Sequence, residues 1–235
     1  MNPTHYLLIG RGRLARHLQH YFTILGLSFS TWDRTQALSL LQTHVEKATH
    51  VLLLVKDNAI NEVAQRCKQF SHTAIFIHCS GSLVTDEAYG VHPLMTFNTG
   101  LYDLQTYQDI SFIVDSDAPA FADLLPELPN PHARLEKNLK PRYHALCVLG
   151  GNFSCLLWQK FFDGLKEDLK LDPALGRAFL KQQMNNLLDD PSSALTGPLV
   201  RGDEQTLASN ITALEGDPFQ AVYESFVKAY GESKE

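Results

Sequence analysis

Apolar and polar positions in the first half of the chain alternate between short apolar runs and longer stretches with helical spacing. Residues 5–9 (His-Tyr-Leu-Leu-Ile) form a run that stops at Gly10, which predicts a buried first strand. Over residues 14–25 the apolar positions Leu14, Leu18, Tyr21, Phe22 and Leu25 fall on one helix face. Gly26 stands where a helix takes its left-handed C-terminal stop. Residues 27–32 predict a second strand and 37–44 a short helix or turn. The run His-Val-Leu-Leu-Leu-Val at 50–55 reads as a central parallel strand, buried on both faces. Residues 60–70 are helical by period, 73–79 form another strand and 110–114 a later one. Strands alternating with helices at this spacing predict a parallel sheet with crossovers.

The second half changes character. From Pro141 the chain runs through Leu146, Val148, Leu149, Phe153, Leu156, Leu157, Phe161 and Phe162, apolar nearly all round, which predicts a long buried helix. Gly150 and Gly151 inside it cost about 1 kcal/mol each relative to Ala, so close approach of another backbone or a ligand is expected there. Further helices are expected over 175–188, 204–214 and 218–230. Three prolines (Pro126, Pro129 and Pro131) mark 126–131 as the expected linker region, with a strand over 132–136 after it. The fold class that results is α/β: a doubly wound, mostly parallel sheet over 1–138, then an all-helical domain over 139–235.

Composition bounds this picture. A chain of 235 residues fits one to two domains of ~150 residues. It can bury roughly 70% of its unfolded surface, so it needs no metal or disulfide staple. A net charge of -6 argues against a binder of phosphate backbones, and no nucleic-acid partner is expected. No apolar run approaches ~18 residues, so no membrane partner is expected either. Met1 to His5 is not basic, which predicts no secretory leader and a cytoplasmic home. Cys67, Cys79, Cys147 and Cys155 lack C-x-x-C spacing and the ten histidines form no ligand pattern, so no metal is expected.

The strongest chemical signal is Gly10-Arg11-Gly12-Arg13-Leu14-Ala15, a G-x-G-x-x-A between the first strand and the first helix. Gly10 allows a tight turn, Gly12 lets backbone approach a pyrophosphate at the helix N-terminus, and Ala15 lets helix pack close to strand. The alternative is a tight turn without a ligand. Asp33-Arg34-Thr35 ends the second strand, where the motif expects its ribose-binding residue. Asp33 suits the 2′-hydroxyl of NAD, whereas Arg34, with Arg11 and Arg13 nearby, suits the 2′-phosphate of NADP. A carboxylate facing that phosphate would be repelled unless it turned away. NADP is the expected cofactor, with NAD the alternative.

These motifs recur together with Leu54 to Ile60 (L-V-K-D-N-A-I), Cys79-Ser80-Gly81-Ser82, Val91-His92-Pro93-Leu94-Met95-Thr96-Phe97 and Thr196-Gly197-Pro198-Leu199-Val200-Arg201-Gly202-Asp203. In this order they resemble a bacterial group of Rossmann-like proteins, provisionally assigned as NADP oxidoreductases, with a C-terminal helical domain of unknown function. That group sits in the superfamily of 6-phosphogluconate dehydrogenase-like, β-hydroxyacid dehydrogenase-like and pyrroline-5-carboxylate reductase-like enzymes. The resemblance spans nearly the whole chain. It implies a nucleotide-binding first lobe, a second lobe like the helical domain of 6-phosphogluconate dehydrogenase, and a homodimer formed through that lobe.

In open parallel sheets ligands bind beyond the carboxyl ends of the strands. Val55-Lys56-Asp57 and Ser80-Gly81 are therefore expected to edge the nicotinamide and ribose. The resembling proteins tend to carry a neutral residue where Lys56 stands, and Asp57 has the alternative role of capping the next helix. His92-Pro93 resembles the H-P-M of prephenate dehydrogenases and places an imidazole near the same edge, the alternative being a structural histidine. In β-hydroxyacid dehydrogenases a Lys and an Asn one turn apart serve as proton donor and substrate clamp. Asn152 matches that Asn, but Val148 stands in place of the Lys. His144, on the same stripe, becomes the candidate acid, since an unperturbed imidazole titrates near ~6.5. Arg201 could clamp a substrate carboxylate or phosphate, or pair with a nearby carboxylate, and Asp203 is placed to cap a helix. The expected function is hydride transfer between a nicotinamide cofactor and a small carbonyl, imine or hydroxy-acid substrate. The alternative is a non-catalytic dinucleotide-binding or sensing dimer.

Overall fold

The computed structural model describes residues 3–234. The expectation about a leader rests partly on Met1 and Asn2, which lie outside the described residues. The chain divides into two compact units, Met1–Cys155 and Leu156–Glu235.

The first unit is built on a seven-stranded sheet in the order β2-β1-β3-β4-β5-β6-β7. The elements are β1 (Tyr6–Ile9), α1 (Arg13–Leu25), β2 (Phe29–Trp32), α2 (Leu38–Lys47), β3 (His50–Leu53), α3 (Asp57–Lys68), β4 (Ile75–His78), β5 (Tyr89–Pro93), α4 (Leu104–Gln108), β6 (Phe112–Asp115), α5 (Phe121–Leu124) and β7 (His132–Leu135). All neighbours pair parallel except β5 with β6. Alternate residues of β1 enter opposite layers: Tyr6 and Leu8 pack with Ala15, Leu18 and Phe22, while Leu7 and Ile9 pack with Leu41, Val45 and Ile60. Covering both faces is what makes the central strands apolar without alternation. The strand order reverses between β1 and β3, the crevice where open α/β sheets bind ligands.

Three sequence expectations are corrected here. Residues 89–93 form a strand that the pattern did not announce, because Gly90 and Pro93 interrupt its apolar run. His92 consequently lies within the sheet and not in a loop after it. Residues 126–131 are no linker: the Tyr6 hydroxyl donates to the Pro126 carbonyl at 2.6 Å, and buried Asn130 donates to the carbonyls of Tyr107 and Ile110 while accepting from Tyr21. That segment is anchored into the first unit by the Pro126 carbonyl and the Asn130 side chain.

The third correction concerns the long helix. It runs through α6 (Lys140–Cys147), a π-helical stretch (Val148–Phe153) and α7 (Ser154–Asp163). It is not buried within the chain: Leu146, Leu149 and Leu156 are 60%, 55% and 50% exposed. Nor does anything crowd Gly150 or Gly151, since a Cβ at either would meet no atom within 4 Å. Ser154 Oγ instead donates to the Gly150 and Gly151 carbonyls at 2.6 and 2.9 Å, a local bond that competes with regular helix pairing. Lys140 and Tyr143, at the start of this helix, both bond to the sheet, to Asp115 and His92.

In the second unit, α7 is followed by α8 (Arg177–Asp189), α9 (Pro198–Arg201), α10 (Glu204–Ala213) and α11 (Phe219–Glu232). Its aromatic centre joins Trp158, Phe161, Phe162 and Phe179, with ring centroids 5.4 Å apart for Phe161 and Phe162. Asp203 caps α10 as expected, its carboxylate accepting from the Thr206 amide at 3.1 Å. Among the described residues no helix is long and apolar enough to cross a membrane.

Candidate active site

A cleft of about 910 Å³ opens at the carboxyl ends of β1, β2, β3 and β4. Of the residues singled out for cofactor contact, Gly10, Arg11, Gly12, Arg13, Leu14, Asp33, Arg34, Val55, Lys56, Asp57 and Ser80 line it. Ala15, Thr35 and Gly81 do not. Ala15 is fully buried against the sheet, in the packing role its size allows.

The two glycines of the loop differ physically. Gly10 has φ +137°, and a Cβ on it would stand 2.2 Å from the Leu54 carbonyl oxygen, so the β1–β3 crossing itself requires glycine. Gly12 has φ -71° and ψ -178°, open to any residue, and a Cβ there would meet nothing within 4 Å. Its missing side chain therefore leaves room on the cleft side at the N-terminus of α1. That terminus has no side-chain cap and no acidic residue in its first turn, so its free amides and partial positive charge face the cleft unneutralised.

At the end of β2, Asp33 Oδ1 accepts from the Thr35 amide at 2.8 Å and the Thr35 hydroxyl at 2.6 Å. These two bonds hold the carboxyl below its ordinary range, with the charges of Arg11 and Arg34 adding to them. Thr35 thus serves to turn Asp33 back on its own loop. Arg34 is exposed beside it. Trp32 lies under the loop, its indole donating to the Ala37 carbonyl at 3.1 Å.

Asp57 does not cap α3. Lys56 occupies the cap position of α3, and Asp57 Oδ2 accepts from Ser80 Oγ at 2.6 Å and from Ser82 Oγ at 3.4 Å. Ser80 Oγ in turn accepts from the Leu83 amide at 3.0 Å. This network fixes the loop after β4. Asn58, Glu62 and Arg66 also line the cleft and were missed. Their four-residue spacing is one helix face, readable once the helix is started at 57 and not at 60.

Beyond Ser80 the loop meets the histidines. A Cβ on Gly81 would lie 2.6 Å from His144 Cδ2 and 3.1 Å from His92 Nε2, so β5 and α6 bring both imidazoles over this one residue. Their centroids are 6.1 Å apart. His92 Nδ1 is 2.7 Å from the Tyr143 hydroxyl. Burial pushes His92 down to about 4, with the neighbouring His144 contributing. His78, fully buried on β4, is likewise down to about 4 through burial and then the Lys140 charge, and its Nε2 has no partner. Asn152 falls in the π-helical stretch, where the four-residue stripe from His144 no longer repeats, and it is exposed. Arg201 ends the four-residue α9 in the second unit, exposed and without an ion pair among the described residues.

The fold and Gly-rich loop define a Rossmann-type protein with a helical C-terminal part. Residues 111–230 match the family model described as domain of unknown function DUF2520. The chain belongs to that family. It resembles the crystal structure of a Bacteroides fragilis protein provisionally described as an NADP oxidoreductase, at TM-score 0.78 and 21% identity, covering 98% of each chain. A Thermotoga maritima protein matches at 0.69 and 22% identity over 97% of each. Plasmodium falciparum pyrroline carboxylate reductase with NADP bound matches at 0.59 and 13% identity over 98% of this chain and 97% of that one. No curated protein matches in sequence.

Proposed function

We propose that the protein is an NADP(H)-dependent oxidoreductase acting on a small carbonyl, imine or hydroxy-acid substrate. The observation that carries this reading is the cleft at the strand-order reversal, with an uncapped helix N-terminus and open space at Gly12 where the diphosphate would rest. The likeness to an NADP-bound reductase fold supports it. When bound, the nicotinamide would supply or accept a hydride at C4. The chain's own groups bind and orient it. The α1 amides, with Arg11 and Arg13, neutralise phosphate charge. Residues 55–57 and Ser80 shape the inner cleft, and His92 and His144 stand beyond Gly81 as the groups for the substrate heteroatom. Asn152 and Arg201 belong to the reading as a substrate clamp and an anion clamp, residues 1–138 serving the nucleotide and the helical part, 139–235, the substrate.

The turned Asp33 favours NADP over NAD, because the carboxylate that would repel a 2′-phosphate is occupied by Thr35 while Arg34 stays free. Calorimetry is expected to show NADPH binding more tightly than NADH. Arg34→Ala should narrow that preference by roughly 10-fold, the worth of one charge-assisted contact. Equal affinities for the two nucleotides in the wild type would overturn the NADP assignment, and absence of both would overturn the function.

A homodimer through the helical part belongs to the same reading. Leu146, Leu149 and Phe153 on the long helix, and Leu175, Phe179 and Leu188 in the second unit, stand uncovered, and patches of this kind mark association surfaces. Sedimentation is expected to give twice the monomer mass at micromolar concentration; a monomer there would rule it out. A cytoplasmic home suits four free thiols, and cell fractionation tests it.

A further inference from the structure

The hydrogen bond between His92 and Tyr143 joins the sheet to α6 at the point where the loop after β4 turns. A neutral imidazole carries one ring proton, so this bond decides what the other nitrogen can do. A phenol O–H, at about 10, is a far stronger acid than the N–H of a neutral imidazole, and the bare ring nitrogen, whose protonated form titrates at about 6.5, is a far better base than a phenol oxygen. The favoured arrangement therefore has the Tyr143 hydroxyl, which also faces the Cys147 thiol, donating to His92 Nδ1. The ring proton is left on Nε2. That nitrogen meets no hydrogen-bond partner among the described residues, yet it is not among their sealed polar atoms, and it lies over Gly81, next to the cleft residue Ser80.

We infer that Tyr143 is a positioning residue that fixes His92 as its Nε2–H tautomer, so that a neutral ring donates a hydrogen bond to the substrate's reacting oxygen or nitrogen. The inference rests on the reductase reading of the site and deepens it. A neutral donor suits a substrate atom with a free lone pair, a carbonyl oxygen or an unprotonated imine nitrogen, and gains strength as negative charge develops there. An imidazolium would be a stronger acid, but the surroundings oppose it. The ring is mostly buried, with His144 and Lys140 from α6 adding positive charge and only Asp57 from α3 favouring protonation. Gly81 is the other half of the device, since any side chain there would strike both rings.

The test is long-range proton–nitrogen NMR of the histidine rings in the full-length, nitrogen-15-labelled protein, with His92→Gln assigning the His92 signals. The expected spectrum shows His92 protonated at Nε2 alone from pH 8 to pH 5. In Tyr143→Phe, with the fold checked by the denaturation midpoint, the two ring nitrogens should move toward averaged shifts as the tautomer is released. A wild-type ring protonated at Nδ1, or an imidazolium at pH 6, would overturn the inference even if the variant failed to fold. Identical His92 shifts in wild type and Tyr143→Phe would do the same. The measurement needs no nucleotide, so it can fail while NADPH still binds, and succeed where NADPH does not.

Discussion

Gly12→Leu is expected to weaken NADPH binding at least 100-fold, about 2.7 kcal/mol, while leaving the protein folded. The backbone at Gly12 has φ -71° and ψ -178°, which leucine adopts freely, and a Cβ meets nothing of the protein within 4 Å. The fold should therefore lose no more than the roughly 1 kcal/mol that a poor cap residue costs a helix. Binding should suffer because an isobutyl group would fill the space between the α1 amides and a diphosphate. Gly10→Ala is the control of opposite sign. Its left-handed-region φ and the 2.2 Å approach to the Leu54 carbonyl predict a loss of at least about 2 kcal/mol in stability. Urea denaturation and calorimetry on both variants separate the two roles. Unchanged NADPH affinity in Gly12→Leu would remove the diphosphate from this loop, and with it the reading of the cleft.

The Gly-rich loop was legible because local sequence dictates it: a strand ends at Ile9, the chain turns in three residues and a helix starts at Arg13. The same holds for the alternation of strands and helices, whose apolar runs report burial on two faces. What escaped was whatever depends on partners distant in sequence. Tyr89–Pro93 joins the sheet through neighbours at 77–78 and 112–114, and nothing in its own composition compels that. His92 and His144 are visible in the sequence as candidates, but their meeting over Gly81, and the bond from His92 to Tyr143, come from β5 and α6 packing together. The density of apolar residues from 141 onward predicts a buried helix, yet Leu146, Leu149 and Leu156 are half-exposed or more, because apolar density says nothing about what packs against it. The π-helical stretch is the subtlest case, for a four-residue stripe assumes α-helical pitch and loses its face when the pitch widens.

The other large effect is expected at Lys140. Its ammonium lies 2.7 Å from Asp115 Oδ1, with the two side chains 5% and 2% exposed, and Asp115 Oδ2 accepts from the Gly90 amide at 2.8 Å. A Cβ on Gly90 would stand 2.2 Å from Lys140 Nζ, so β5 gives up a side chain to admit this ion pair. Lys140→Met keeps the aliphatic stem and removes the charge, leaving Asp115 buried with one amide for compensation. The expected cost is about 3–5 kcal/mol, a large share of a typical domain's 5–15 kcal/mol. Adding Asp115→Leu should recover part of that loss, because the penalty lies in the stranded carboxylate and not in the missing attraction. Urea midpoints of the two variants decide it. A single-variant cost below about 1 kcal/mol would mean that water reaches the pair. The consequence reaches the histidines: Lys140 opens the helix that carries Tyr143 and His144 one turn later. The ion pair ties the start of that helix to β6, and Tyr143 meets His92 within the helix's next turn.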